Sequence, residues 1–359
     1  MSKKNELTKD DYLWDGSGEP DAEIARLEKA LGKFRQSRPT PEWPETSRGT
    51  AGKPGRLSSR YWFRFAGAAA SVLILFSLWL TWRPKAPVRE PGAWRVMSLA
   101  GTPRVEKSSI AKEGQTGRLG IGQTLETDIQ SRASISVQEI GRVEIEPQTR
   151  LRLVETGSRR TRLSLERGTI HAMIWAPPGE FMVATPSALA VDLGCAYTLA
   201  VDENGAGLLR TTLGWVGFKL ERREAFIPAG AVGATRPGIG PGTPYYEDAP
   251  ETFRRALAKL DFEKLTGEER QRELGTVLAQ SRKRDALTLW HLLSRTEGAE
   301  RRRVYERLAV LAPAPSSVTP DGIMHLNREM LDAWWNEFGF GDISLWRTWE
   351  RSWQPESGK

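Results

Sequence analysis

The sequence predicts an α+β multidomain protein. It reads as a short N-terminal helical hairpin, one transmembrane helix, an all-β domain (sandwich, roll or solenoid) and a C-terminal α-helical domain of stacked helix pairs. Three observations predict this. The run Phe65 to Trp82, FAGAAASVLILFSLWLTW, contains no Lys, Arg, Asp or Glu. Beyond it, apolar and polar residues alternate at period two, the mark of strands with one buried face. Beyond a Pro- and Gly-dense stretch at 236–249, apolar residues recur at helical spacing.

Residues 1–36 come first. Asp15-Gly-Ser-Gly-Glu-Pro20 is a cluster of helix breakers. Asp21 then suits an N-cap, and Glu23 suits the positive end of the helix dipole. Ile24, Leu27, Leu31 and Phe34 follow on one helical face, with Arg26, Lys29, Lys33 and Arg35 on the other. A unit this small buries too little to stand alone, but its stripe can fill a partner's groove. Those four apolar residues are the candidate partner-binding set. Residues 37–64 are a linker, with Pro39, Pro41, Pro44 and Pro54 among Ser, Thr, Gly and basic residues.

The transmembrane helix occupies 65–82. At about 1.5 Å per residue the run is roughly 27 Å long, close to the hydrocarbon thickness of a bilayer. Tyr61, Trp62 and Phe63 precede it and Trp79 and Trp82 close it, where aromatic rings meet headgroups. It begins too far along the chain for a secretory signal, and Thr81-Trp-Arg-Pro-Lys85 is a poor cleavage site. Arg48, Lys53, Arg56, Arg60 and Arg64 precede it with no acid between them. Arg83, Lys85, Arg89 and Arg95 follow it, with Glu90. The tilt favours a cytoplasmic N-terminus. The expected location is the inner membrane, in a single pass, with the later domains extracytoplasmic and the bilayer itself a partner.

Residues 93–235 are expected to be all-β. Ala133–Val137, Arg142–Glu146, Arg150–Val154 and Arg162–Glu166 each set aliphatic against charged or hydroxylated side chains. Thr169–Trp175, Phe181–Thr185, Leu189–Leu193, Tyr197–Val201, Gly207–Thr211 and Ala225–Ile227 continue the series. Turns are expected at Glu166–Gly168, Pro177–Gly179 and Asp202–Gly205. The pattern does not choose among sandwich, roll and solenoid. Residues 236–249 are expected to be a second linker.

Residues 250–338 read as helices. Phe253, Leu257 and Leu260 share a face, as do Leu274, Val277 and Leu278. Leu287 to Leu293 is a more buried helix, and Val304, Leu308 and Leu311 mark another. Asp321 to Phe338 adds a further helix with Trp334 and Trp335. Residues 339–359 form a tail with Trp346, Trp349 and Trp353, expected to pack against the core rather than bind a ligand.

Composition narrows the function. The chain has 359 residues, with 52 Lys and Arg against 45 Asp and Glu, a net charge of +7. The charges are interspersed, so no direct nucleic-acid binding is expected. One cysteine, Cys195, excludes an intramolecular disulfide and a multi-cysteine metal site. His171, His291 and His325 stand in no metal or catalytic spacing. Cys195 has no base in its local sequence, and Gly238-Ile-Gly-Pro-Gly242 is no phosphate loop. No catalytic, cofactor-binding or metal residues are assigned, and no enzyme is expected.

Thr185-Pro-Ser-Ala-Leu-Ala-Val-Asp-Leu-Gly194 and Ala196-Tyr-Thr-Leu199, within the β segment, carry a resemblance to the FecR family of membrane-anchored transcription regulators. It continues in Gly207–Thr211, Gly214-Trp-Val-Gly217 and Ile227-Pro-Ala-Gly230. Gly122-Gln-Thr-Leu-Glu-Thr127 and Ser131-Arg-Ala-Ser-Ile135 resemble the family's lead-in. The family's usual threonine after Leu-Gly is here Cys195, and its usual phenylalanine is Tyr197. The resemblance implies a cytoplasmic N-terminal segment that binds an alternative σ factor and an outer domain that receives an envelope signal. The chain departs from the family's zinc-type relatives in lacking H-x-x-x-C-x-x-C near its N-terminus. The helical C-terminal half lies outside the transporter-linked pattern. Two functions follow: a signal-transducing regulator of a σ factor, or an envelope scaffold that binds a protein or glycan and has no transcriptional role.

Overall fold

The computed structural model describes residues 26, 93–110, 113–157 and 160–353. The chain divides into two compact units, 1–84 and 85–359. The expected transmembrane helix and the candidate partner residues Ile24, Leu27, Leu31 and Phe34 lie outside the described residues. Among the described residues, no helix is long and apolar enough to cross a membrane.

The described part of the second unit is a β-rich domain followed by a helical region. Its strands, in chain order, begin with β1 (Trp94–Ala100), β2 (Arg104–Val105), β3 (Ser108–Ser109), β4 (Thr116–Leu119), β5 (Thr124–Glu126) and β6 (Arg132–Val137). Next come β7 (Gly141–Ile145), β8 (Arg150–Thr156), β9 (Thr161–Ile174), β10 (Phe181–Ala184), β11 (Leu189–Asp192) and β12 (Ala196–Val201). The last are β13 (Gly207–Leu213), β14 (Trp215–Leu220), β15 (Arg223–Pro228), β16 (Ala231–Arg236), β17 (Gly240–Pro241) and β18 (Tyr245–Tyr246).

Two sheets share the 14-residue strand β9. Its first half pairs with β8 and β10, and its second half pairs with β7 and β12. One sheet therefore runs β4-β1-β6-β7-β9-β12-β13-β16. The other runs β3-β2-β5-β8-β9-β10-β11-β14-β15. Every pairing is antiparallel except β9 with β10. Along β9 alternate side chains are buried: Leu163, Leu165, Ile170, Ala172 and Ile174 enter one continuous apolar core.

The shared strand corrects one expectation. Glu166–Gly168 is expected to turn the chain back; instead the strand continues through it, bends at Gly168 and changes sheets. Gly168 sits at φ +95°, and a Cβ there would strike Thr149 on both its backbone and its side chain. Only glycine lets β9 bend against that neighbour. Thr149 Oγ1 accepts the Thr169 N–H at 3.0 Å, which fixes the bend.

Residues 236–249 also differ from a free linker. Gly240–Pro241 and Tyr245–Tyr246 both pair with β16. A Cβ at Gly242 would stand 2.5 Å from the Phe262 ring. Glycine is needed there for close approach, not for freedom.

The helical region contains α1 (Glu251–Phe262), α2 (Gly267–Gln280), α3 (Ala286–Leu293), α4 (Gly298–Leu311), α5 (Pro320–Met324), α6 (Arg328–Glu337) and α7 (Ile343–Ser352). Helix α1 packs on α2, and α3 on α4. Thr266 caps α2 with a full capping box through Glu269. All eight residues of α3 are buried, because α3 lies between the sheet and the other helices. The tail is folded too. Helix α7 places Trp346 and Trp349 against the sheet, where Phe226, Trp290 and Trp335 complete an aromatic cluster. A buried aromatic removes about 150–250 Å² from water, on the order of 4–6 kcal/mol before entropy.

Candidate functional site

The outer face of the first sheet carries a groove of 660 Å³. The alternation along β9 that buries Ile170, Ala172 and Ile174 turns His171, Met173 and Trp175 outward. Met173 is 52% exposed and Trp175 64%. Two large apolar side chains thus stand on a face that should be polar.

Strand register assembles the rest. Arg142 on β7 is opposite Met173, Met173 is opposite Ala196 on β12, and Ala196 is opposite Leu213 on β13. Leu213 is 49% exposed. Small Ala196 and Gly141 keep the groove floor low between the taller residues. Gly141 is required there, since a Cβ would meet the Met173 carbonyl. The next row holds Glu144, His171 and Thr198.

A polar chain crosses this row. His171 Nδ1 lies 2.9 Å from Thr198 Oγ1, and its Nε2 lies 3.2 Å from Glu146 Oε1. Glu146 also accepts from Arg132 at 2.7 Å. These contacts hold the imidazole by both nitrogens and fix its orientation on the groove floor. The groove therefore has an apolar island of Trp175 and Met173 beside charges of both signs, Arg142 and Glu144, with exposed Leu213 next to its lining residue Thr212. That composition suits recognition: a rigid aromatic anchor with a polar surround.

The remaining titratable candidates are structural. His291 is buried in α3. Its Nε2 accepts the Phe226 N–H at 2.9 Å and its Nδ1–H donates to Leu287 O at 2.8 Å. Burial, then the nearby Arg295 charge, lower its pKa to about 3, so it stays neutral. Cys195 is buried and donates its S–H to Asp192 Oδ2 at 2.9 Å. Burial and the Asp192 charge push the thiol pKa up, so no thiolate forms. His325 is exposed at the end of α5. Among the described residues, no cluster of His, Cys, Asp and Glu could hold a metal.

Sequence reasoning missed the groove, although its signal was present. In Thr169–Trp175 period two places Met173 and Trp175 with Thr169 and His171 on the solvent side.

Residues 123–213 match the family described as FecR protein. The chain carries a FecR domain. Every residue lining the groove, from Ser136 to Thr212, falls inside the matched FecR segment. No curated protein matches the chain. Among solved structures, the chain is similar to two crystal structures of a candidate anti-sigma factor from Parabacteroides distasonis ATCC 8503. In each, the identity is 16%, the TM-score 0.31, and the likeness covers 38% of this chain and 64% of that one. The chain thus spans less than two thirds of the length of those structures.

Proposed function

We propose that this protein is a membrane-anchored signal-transduction regulator. Its FecR domain receives an envelope partner in the groove around Trp175. Its N-terminal segment holds or releases a cytoplasmic σ factor through Ile24, Leu27, Leu31 and Phe34. The apolar run 65–82 joins the two in a single pass with the N-terminus inside. The observation that carries this reading is the coincidence of the groove with the FecR segment, in a chain whose sequence also supplies an apolar span and a small amphipathic helix before it. Trp175 and Met173 favour a protein partner, because apolar anchors inside a charged rim typify protein recognition.

An affinity-tagged full-length chain tests the inner half. It should recover a σ factor from cells, and the double substitution Leu27→Asp and Leu31→Asp should lose it. Recovery of no σ factor by the wild type would sink the regulatory reading. Trp175→Ala tests the outer half: the protein should stay folded and stop responding in a reporter of σ-dependent transcription.

The scaffold reading has one observation of its own, the helical region joined firmly to the FecR domain through α7. Deleting residues 1–60 separates the two. A scaffold keeps its envelope role after that deletion, whereas a regulator does not.

A further inference from the structure

A second cleft, of 480 Å³, lies where the β14–β15 turn meets α1, α2 and the end of α3. Four arginines line it: Arg222, Arg223, Arg270 and Arg295. Two carboxylates accompany them, Glu224 and Asp261. Glu224 is already committed, since it accepts from Arg347 at 3.0 Å and from Trp346 at 2.9 Å. Asp261 is therefore the one carboxylate left for two guanidinium groups, whose other contacts are neutral oxygens: Pro241 O at 2.6 Å for Arg223, and Thr243 Oγ1 at 2.9 Å and Glu224 O at 3.1 Å for Arg295. The same oxygen, Oδ1, lies 2.9 Å from Arg295 and 3.0 Å from Arg223. Its other oxygen is held by the Thr243 N–H at 2.6 Å.

The charges do not balance. Arg270 is neutralised by Glu300 at 2.9 Å. Asp261 cancels one of its two arginines. Arg222 is exposed, and no hydrogen bond or ion pair among the described residues engages it. About two positive charges remain on one concave wall. Burial lowers the pKa of Arg295; Asp261 in contact opposes that shift and Arg223 beside it adds to it. Two guanidinium groups that share one carboxylate oxygen leave a net positive charge at a concave, partly desolvated wall. Planar guanidinium forks match tetrahedral oxyanions, because two parallel N–H donors meet two oxygens.

We propose that this cleft binds a compact oxyanion of the phosphate class, carrying two or more negative charges. The ligand would sit against Arg222 and Arg295 and tie the β14–β15 turn to the helices. The cleft lies outside residues 123–213, so its failure would leave the reading of the groove untouched.

The test is calorimetric titration of the full-length chain in detergent with inorganic phosphate and with pyrophosphate, at ionic strength fixed by chloride. Saturable binding is expected, tighter for pyrophosphate, with a rise in Tm on ligand addition. Arg222→Glu should weaken pyrophosphate binding at least tenfold, and the turn position of Arg222 keeps that variant folded. Arg302→Glu, an exposed change on α4, should leave binding unchanged. Absence of saturable binding for both anions would overturn the proposal. So would equal weakening by the two substitutions.

Discussion

Gly217 on β14 and Trp346 on α7 are pressed together so closely that a methyl group at Gly217 would overlap the indole ring. The same device recurs one ring away, where Gly179 leaves room for Trp349. Helix α7 docks because two glycines, Gly217 on the sheet and Gly179 in the turn before β10, expose backbone for two tryptophans to cover. Gly217→Ala should therefore lift α7 off the sheet at a cost of about 1–3 kcal/mol, the usual range for overpacking. Limited proteolysis reads the effect: the segment after Gly339 should become cleavable first. Unchanged protection would refute the role given to Gly217.

Arg347 fixes the same helix by charge. Its guanidinium, with the side chain 10% exposed, bridges Glu224 at 3.0 Å and Asp332 at 2.8 Å. Removing it leaves two partly buried carboxylates facing each other. Arg347→Ala should cost about 3 kcal/mol in denaturant unfolding, within the range for breaking a buried pair. Arg347→Lys should recover only part, because one ammonium cannot fork to both acids. Full recovery by lysine would mean that net charge, not geometry, holds α7.

Asp192 makes stability depend on pH. Burial raises its pKa to about 7, against the hydrogen bonds from Cys195 and Gly194 that lower it. In the unfolded chain it titrates near about 3.9. The folded state thus binds the proton more tightly. The contribution is complete below about pH 4 and is lost as pH rises through about 7, a change on the order of 3–4 kcal/mol. His291 acts in the opposite sense: its pKa is about 3 in the fold, so acidification below about 6.5 costs stability. The comparison of wild type with Asp192→Asn cancels the histidine. The variant should gain on the wild type in urea midpoint between about pH 4 and about pH 7, and the gain should level off above that. A difference independent of pH would count against a titrating Asp192.

The alternation of 133–137, 142–146 and 150–154 was legible because each strand's neighbours lie close in sequence and one face of each meets a single core. The bend at Gly168 was not legible. Glu-Arg-Gly describes a hairpin turn as well as a bent strand. What decides is Thr149, brought opposite by strand pairing. The 236–249 stretch failed for the same reason. Glycine is written alike whether it supplies freedom or clearance, and Phe262 reveals which. Arg347 drew no notice within the expected tail 339–359, since Glu224 and Asp332 reach it only through the fold. Met173 and Trp175 needed no tertiary knowledge. Their parity along Thr169–Trp175 already placed them outside.

Tyr197 offers the last test. Its ring is buried on β12, 2% exposed, and its hydroxyl has no hydrogen-bond partner among the described residues. Burial, followed by the Asp192 and Cys195 charges, drives its pKa well above the ordinary phenol value, so the group is neutral. A neutral hydroxyl buried without a partner costs about 1–3 kcal/mol in desolvation. Tyr197→Phe removes that cost and keeps the ring, which belongs to the buried apolar core. The variant should unfold at the same or a higher denaturant concentration, by up to about 1–2 kcal/mol. Tyr197→Leu serves as the control, because it loses the ring and should destabilise by about 1–3 kcal/mol. If phenylalanine destabilises as much as leucine, the hydroxyl has a partner in solution and the account of this corner is wrong.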